Sequence, residues 1–176
     1  MCASASPENG PMRVLVLLGM GVDTRIPPER DPRSGRVREE WLVCEVDLDS
    51  ARAFDLALRL KALGGDVEVT VVHFGPEDAT PWLRHALAAG ANRVVRVWDR
   101  EAAGVHAAGK AVVLAAAAQA CGFDLVLTGA KGAVDAGGRL GVLMAALLGV
   151  PCVTQVVAMA VGDEDVIGLH VFGAHV

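Results

Sequence analysis

The stretch that most restricts the fold runs from Phe123 to Gly141: Phe-Asp-Leu-Val-Leu-Thr-Gly-Ala-Lys-Gly-Ala-Val-Asp-Ala-Gly-Gly-Arg-Leu-Gly. Leu125 to Leu127 read as a short buried strand, Gly129 opens a glycine-rich loop, and a helix starts at about Arg139. Glycine lets backbone amides come close to a ligand, and a helix N-terminus presents free N–H groups at the positive end of its dipole. Strand, loop and helix in that order make a place for a phosphate. In an open parallel sheet such a loop lies at the carboxyl edge of the strands. A plain strand-to-helix turn needs one or two glycines. Five within the 13 residues from Gly129 to Gly141 point instead to a nucleotide site.

The rest of the chain alternates strands with helices. Arg13 to Leu18 is an unbroken apolar strand, as a central parallel strand should be, and Gly19 to Asp23 turns it. A long connection rich in proline and mixed charge runs to about Val46, either a solvated excursion or a functional segment with its own hairpin. A helix follows from the N-cap options at Asp47 to Ser50 as far as Leu63, with Ala53, Leu56, Leu60 and Leu63 as its buried stripe. Arg52, Asp55 and Arg59 share another face, where they can pair, and Gly64-Gly65 stops the helix. Val67 to Val72 is a second strand. Thr80 is the expected cap of a helix with Pro81 at its first position and Trp82, Leu83, Ala86 and Leu87 inward. Val94 to Val97, an alanine-rich helix from His106 to Cys121, and the opening stretch complete the pattern. Cys152 to Met159 and Val166 to Val171, joined at Gly162 to Asp165, are expected to form a hairpin at one sheet edge. The expected fold is α/β, a doubly wound, mostly parallel Rossmann-like sheet of order 3-2-1-4-5. That order sets Gly19 to Asp23 and Gly129 to Gly141 against one crevice.

Composition narrows the function. The chain of 176 residues suits one domain, read here as residues 12–176 behind a disordered leader at 1–11. No apolar run reaches the roughly 18 residues of a membrane span, and the leader lacks a signal peptide's apolar centre, so a cytoplasmic protein without membrane insertion is expected. A net charge of −5 without a basic cluster argues against nucleic acid. Four scattered cysteines need neither metal nor disulfide, and Cys121 and Cys152 read as core fillers. The five histidines form no catalytic or ligand pair, which leaves side-chain acid–base catalysis without a candidate.

At these residues the chain resembles the β subunit of electron-transfer flavoprotein, from Met12 to about Val157. The resemblance rests on Arg13-Val-Leu-Val with Val22-Asp23, on Ala57-Leu-Arg-Leu-Lys61, on Phe74-Gly-Pro76 with the run Leu83 to Arg93, and on Asp124 to Gly129, Asp135, Gly141 and Leu147 to Pro151. It implies AMP at the β site, or FAD there in electron-bifurcating members, and a second flavin (FAD) in an α-type partner subunit that receives electrons from a dehydrogenase. It further implies adenine and ribose contacts at Leu17, Asp47, Leu48, Asp49, Ser50 and Phe74. By the same resemblance, phosphate contacts would fall on Gly129, Ala130, Lys131, Asp135, Gly137, Gly138, Arg139, Leu140 and Gly141. The chain would be an electron-carrier subunit rather than a catalyst by itself.

Several positions depart from the family pattern. Gly19 stands where a lysine is usual, Asp47-Leu48-Asp49 replaces Asn-Pro-(Phe/Tyr), and Lys131 and Arg139 bring two cations into the loop. Family members continue past this point with an arm that wraps the partner, so the chain reads as a short member without it. Two rival readings stand beside this one. A universal-stress-type ATP-binding protein shares the sheet order, although Gly129-x2-Gly132-x8-Gly141 is one residue short of its signature. The other rival is a structural subunit that has lost the nucleotide.

Overall fold

The structure is a computed structural model that describes residues 10–63, 66–102, 104–131, 138–161 and 167–171. Strand β1 (Met12–Leu17) is followed by a short hairpin of β2 (Met20–Val22) and β3 (Cys44–Val46). Then come α1 (Leu48–Ala62), β4 (Val67–Phe74), α2 (Thr80–Ala89), β5 (Arg93–Val97), α3 (Ala107–Cys121), β6 (Leu125–Thr128) and α4 (Leu140–Leu148). Strands β7 (Val156–Val161) and β8 (Ile167–Val171) close the order.

Four strands form one parallel sheet, β5-β4-β1-β6, which is the expected 3-2-1-4 arrangement. The residues of β1 alternate between two cores, because successive side chains of a strand point to opposite faces. Val14 and Val16, with Leu18 beyond the strand, pack with Ala53 and Ala57 of α1 and Leu83 and Ala86 of α2. Leu15 and Leu17 face the other way, onto Ala111, Leu114 and Ala118 of α3 and Met144 of α4. Helices thus cover both faces, and the fold is Rossmann-like and doubly wound. Arg13 ties the first strand to the fourth. Its backbone N–H and guanidinium both donate to Asp124, at 2.8 Å and 2.7 Å, and this pairing holds the Asp124 carboxyl below its ordinary pKa.

Local details differ from expectation where packing overrides periodicity. The line of α1 that meets the sheet is Ser50, Ala53, Ala57 and Leu60, because small residues let a helix approach a sheet closely. Leu56 is only partly buried, and Leu63, past the helix end, is 70% exposed. Asp55 pairs with Arg59 at 2.8 Å, whereas Arg52 turns to Asp49 at 3.0 Å. Thr80 is the first residue of α2 rather than its cap, since a 3-10 turn at Glu77–Ala79 leads directly into the helix. Leu83 and Ala86 go inward as expected, while Trp82 and Leu87 lie toward solvent. Cys152 is exposed and Cys121 partly buried, so Cys152 is not a core filler. Strands β7 and β8 do pair antiparallel, but as a separate two-stranded sheet rather than at the edge of the main one. Residues 1–9 of the expected leader at 1–11, the Gly64-Gly65 stop and the turn at 162–165 lie outside the described residues. No helix among the described residues is long and apolar enough to cross a membrane.

Candidate functional site

Leu17 of β1 lies opposite Thr128 of β6, so the chain leaves two neighbouring parallel strands at the same edge, through Leu18-Gly19 and through Gly129. The first turn of α1 is wedged between these exits. Asp47 is its N-cap, and the carboxylate accepts from the backbone N–H of Ser50 and from the Ser50 hydroxyl, both at 3.0 Å. The same hydroxyl accepts the backbone N–H of Gly19 at 3.1 Å, while Asp47 donates its own N–H to the Gly19 carbonyl at 2.9 Å. On the other side the Lys131 N–H donates to Asp49 at 3.2 Å. A side chain at Gly129 would put its Cβ 2.8 Å from the Ser50 nitrogen, so only glycine allows this closeness. Gly138 has φ +57°, and a Cβ there would stand 2.5 Å from the Ala130 carbonyl oxygen.

Between these loops lies a crevice at the carboxyl edge of the sheet, where ligands bind in doubly wound folds. Leu17, Leu18, Val72, Phe74, Leu114 and Leu140 make its apolar walls, suited to a flat ring. Thr128, Lys110, Asp47 and Ser50 supply its polar side chains, and the backbone at Gly19, Gly129 and Gly138 completes the rim. Phe74 is held from behind by Trp98, edge on, with ring centres 5.6 Å apart. The Lys110 ammonium stands 5.9 Å from the centre of the Phe74 ring.

Among the described residues, the buried side-chain polar atoms are all hydrogen-bonded within the protein. His73, next to Phe74, donates its Nδ1–H to the Leu18 carbonyl at 2.7 Å. Burial pushes this imidazole below its ordinary pKa. Asp23, at the end of the β2 turn, is held below the usual carboxylate range by hydrogen bonds from Arg25, which also reaches Glu45. Among the described residues no cluster of His, Cys, Asp or Glu could hold a metal ion. The crevice can therefore bind and orient a ligand, and the hydroxyl–carboxylate pair in its wall, Ser50 with Asp47, is engaged in the α1 cap and with the Gly19 N–H.

The structure brings Leu17, Asp47, Ser50, Phe74, Gly129, Gly138 and Leu140 of the expected site to the crevice wall. Leu48 is 63% exposed, and Asp49 holds Lys131 through its backbone rather than facing the crevice. Ala130, Lys131 and Arg139 are exposed, and Gly141 packs against Thr128, where a Cβ would lie 2.7 Å from the hydroxyl. Asp135 and Gly137 lie outside the described residues. Gly19 and Met20 lie at the crevice, as the expected strand order sets them, whereas Leu18, Val72, Leu114, Thr128 and above all Lys110 are wall residues that sequence reasoning did not assign. For Lys110 a signal existed: it is the one charged residue in α3, whose sequence is Ala-Ala-Gly-Lys-Ala-Val-Val-Leu-Ala-Ala-Ala-Ala-Gln-Ala-Cys.

A doubly wound parallel sheet with a glycine-lined crevice at its carboxyl edge defines a Rossmann-like α/β protein. A model of the electron transfer flavoprotein domain matches residues 45–173. The chain belongs to the electron transfer flavoprotein family, and it is of the β-subunit type. It is 31% identical over 157 residues to the caffeyl-CoA reductase-Etf complex subunit CarD of Acetobacterium woodii, covering 89% of this chain and 60% of that protein. It is 29% identical over 156 residues to the electron transfer flavoprotein subunit beta of Thermoanaerobacterium thermosaccharolyticum, covering 89% and 59%. With the corresponding subunit of Clostridium acetobutylicum the identity is 31% over 134 residues, 76% of this chain and 51% of the other. The chain thus spans 60% or less of the length of these curated relatives.

Proposed function

We propose that this chain is the β-type subunit of a cytoplasmic electron-transfer-flavoprotein-like complex, and that its crevice holds AMP or the adenine nucleotide part of FAD. The observation that carries this reading is the meeting of the β1 and β6 exits around the first turn of α1, at the mouth of an apolar slot. Leu17, Val72 and Phe74 fit the faces of an adenine ring, and the backbone at Gly129 and Gly138 fits close approach by a sugar-phosphate. The free N–H groups of the first turn of α4 suit a phosphate.

A bound flavin supplies one- and two-electron redox chemistry. The role of this chain's own residues is to bind, orient and shield, with an α-type flavoprotein subunit as its neighbour and a dehydrogenase as electron donor. The A. woodii relative, by its name a subunit of a reductase–Etf complex, favours such an assembly. Exposed apolar side chains on α4 and beyond it, Val142, Leu147, Val150 and Val153, fit a covered surface. The test is to release bound small molecules by heat from protein purified from its native host and to identify them by chromatography. Calorimetry on the stripped protein with AMP, ADP, ATP and FAD follows. AMP or FAD in the heat extract, or binding of either, is the expected result. ATP alone would favour the universal-stress-type reading. Binding of none of the four would leave the subunit purely structural.

A further inference from the structure

We propose that Lys110 is the anion-recognition residue of the crevice, and that it makes the site select phosphorylated adenine ligands over the uncharged nucleoside. This rests on the nucleotide reading given above and adds the residue that sets its selectivity. Lys110 lies in the first turns of α3, half-buried, and lines the slot with Phe74. Its ammonium sits over the face of that ring, 5.9 Å from the centre. A side chain as long as lysine reaches solvent easily, so a charged head kept against an aromatic wall is positioned.

The charges around it sharpen the assignment. Among the described residues, Lys110 makes neither an ion pair nor a hydrogen bond through its ammonium. The other ionised side chain of the wall, Asp47, is turned to the α1 N-terminus, where Ser50 and the helix dipole stabilise it. Lys131 and Arg139, the cations expected at the phosphate, are exposed and do not line the crevice. Among the described residues that line the slot, Lys110 is the cation beside its aromatic wall. Lys110 lines the same slot as the Gly129 and Gly138 backbone, where the sugar-phosphate of a nucleotide is expected, and a charge-assisted contact to a phosphate is stronger than a neutral one.

The experiment compares AMP with adenosine by calorimetry on the stripped, full-length chain, for the native protein and for Lys110→Met and Lys110→Arg, each checked for an unchanged unfolding midpoint. The native protein should prefer AMP to adenosine by about tenfold or more, as one charge-assisted contact provides. Lys110→Met should lose most of that preference, through weaker AMP binding with adenosine unchanged, and its AMP affinity should respond less to added salt. Lys110→Arg should keep the preference. Native AMP affinity retained in Lys110→Met would overturn the assignment while leaving the nucleotide reading intact. Equal loss for AMP and adenosine would overturn it in favour of simple packing on Phe74. Failure of the native protein to bind either ligand would overturn both.

Discussion

The Ser50 hydroxyl accepts the backbone N–H of Gly19 at 3.1 Å and donates to Asp47 at 3.0 Å, so one buried side chain ties the exit of β1 to the cap of α1. Residues expected to touch a ligand thus turn their polar atoms to the protein. Their contribution to the site is the shape of the crevice.

Ser50→Ala is expected to destabilise the fold by about 1–3 kcal/mol, because it leaves the partly buried Gly19 amide and the buried Asp47 carboxylate short of a partner. Urea unfolding measures the loss, and hydrogen exchange at Gly19 should accelerate. A change within about 0.5 kcal/mol, typical of an ordinary surface position, would show that the hydroxyl does not hold the loop.

Gly129→Ala is expected to cost about 1–3 kcal/mol, as overpacking does, and to weaken ligand binding with it. The added Cβ would meet the Ser50 nitrogen at 2.8 Å and the Asp49 carbonyl carbon at 3.0 Å, both backbone atoms that cannot swing aside. The unfolding midpoint and a nucleotide titration of one preparation read both effects. Native behaviour in both would mean that α1 can retreat.

Stability should fall with acid before any carboxylate titrates. Burial holds the His73 imidazole below its ordinary value of 6.5, so the unfolded chain takes up this proton first as pH drops. The stabilisation is complete above about pH 6.5 and declines below it, since the unfolded state then binds more protons. Asp78 and Arg96 act on the ring with opposite signs, and the Leu18 carbonyl partly offsets burial. His73→Asn keeps a donor for that carbonyl and removes the titration. Its unfolding free energy should be flat from pH 7.5 to about pH 5.5, where the native curve slopes. Parallel curves would refute the assignment.

The chain alone should self-associate through the outer face of α4. Val142 is 46% exposed and Leu147 51%, on a helix with no charged residue. Val142→Gln combined with Leu147→Gln should shift sedimentation toward the monomer with little loss of stability, as surface substitutions give. An unaltered distribution would place the contact elsewhere.

Much of the architecture was readable because its signals are local. Val14 to Leu18 is apolar without interruption and Val67 to Val72 is rich in valine, which marks central parallel strands, and Gly90 and Gly122 end α2 and α3 with φ of +125° and +73°. The glycines at 129 and 138 announced a close approach of backbones, and the structure shows what approaches: Ser50 and Ala130. Helix faces were less readable. Periodicity gives the phase of an apolar stripe but not how far the sheet extends beneath it, so Leu63, Trp82 and Leu87 were expected inside and lie outside.

The alternation of strands and helices, the 3-2-1-4 order through the rules of parallel crossover, and the family through its spaced motifs were already legible in the chain. These depend on residues near one another along the chain. The tertiary structure alone decided which residues face the crevice. Lys110 lies 36 residues from Phe74 in the sequence, and nothing local links them. They meet because β4 and α3 contribute to the same edge of one folded sheet, a relation that exists only once the strands have paired.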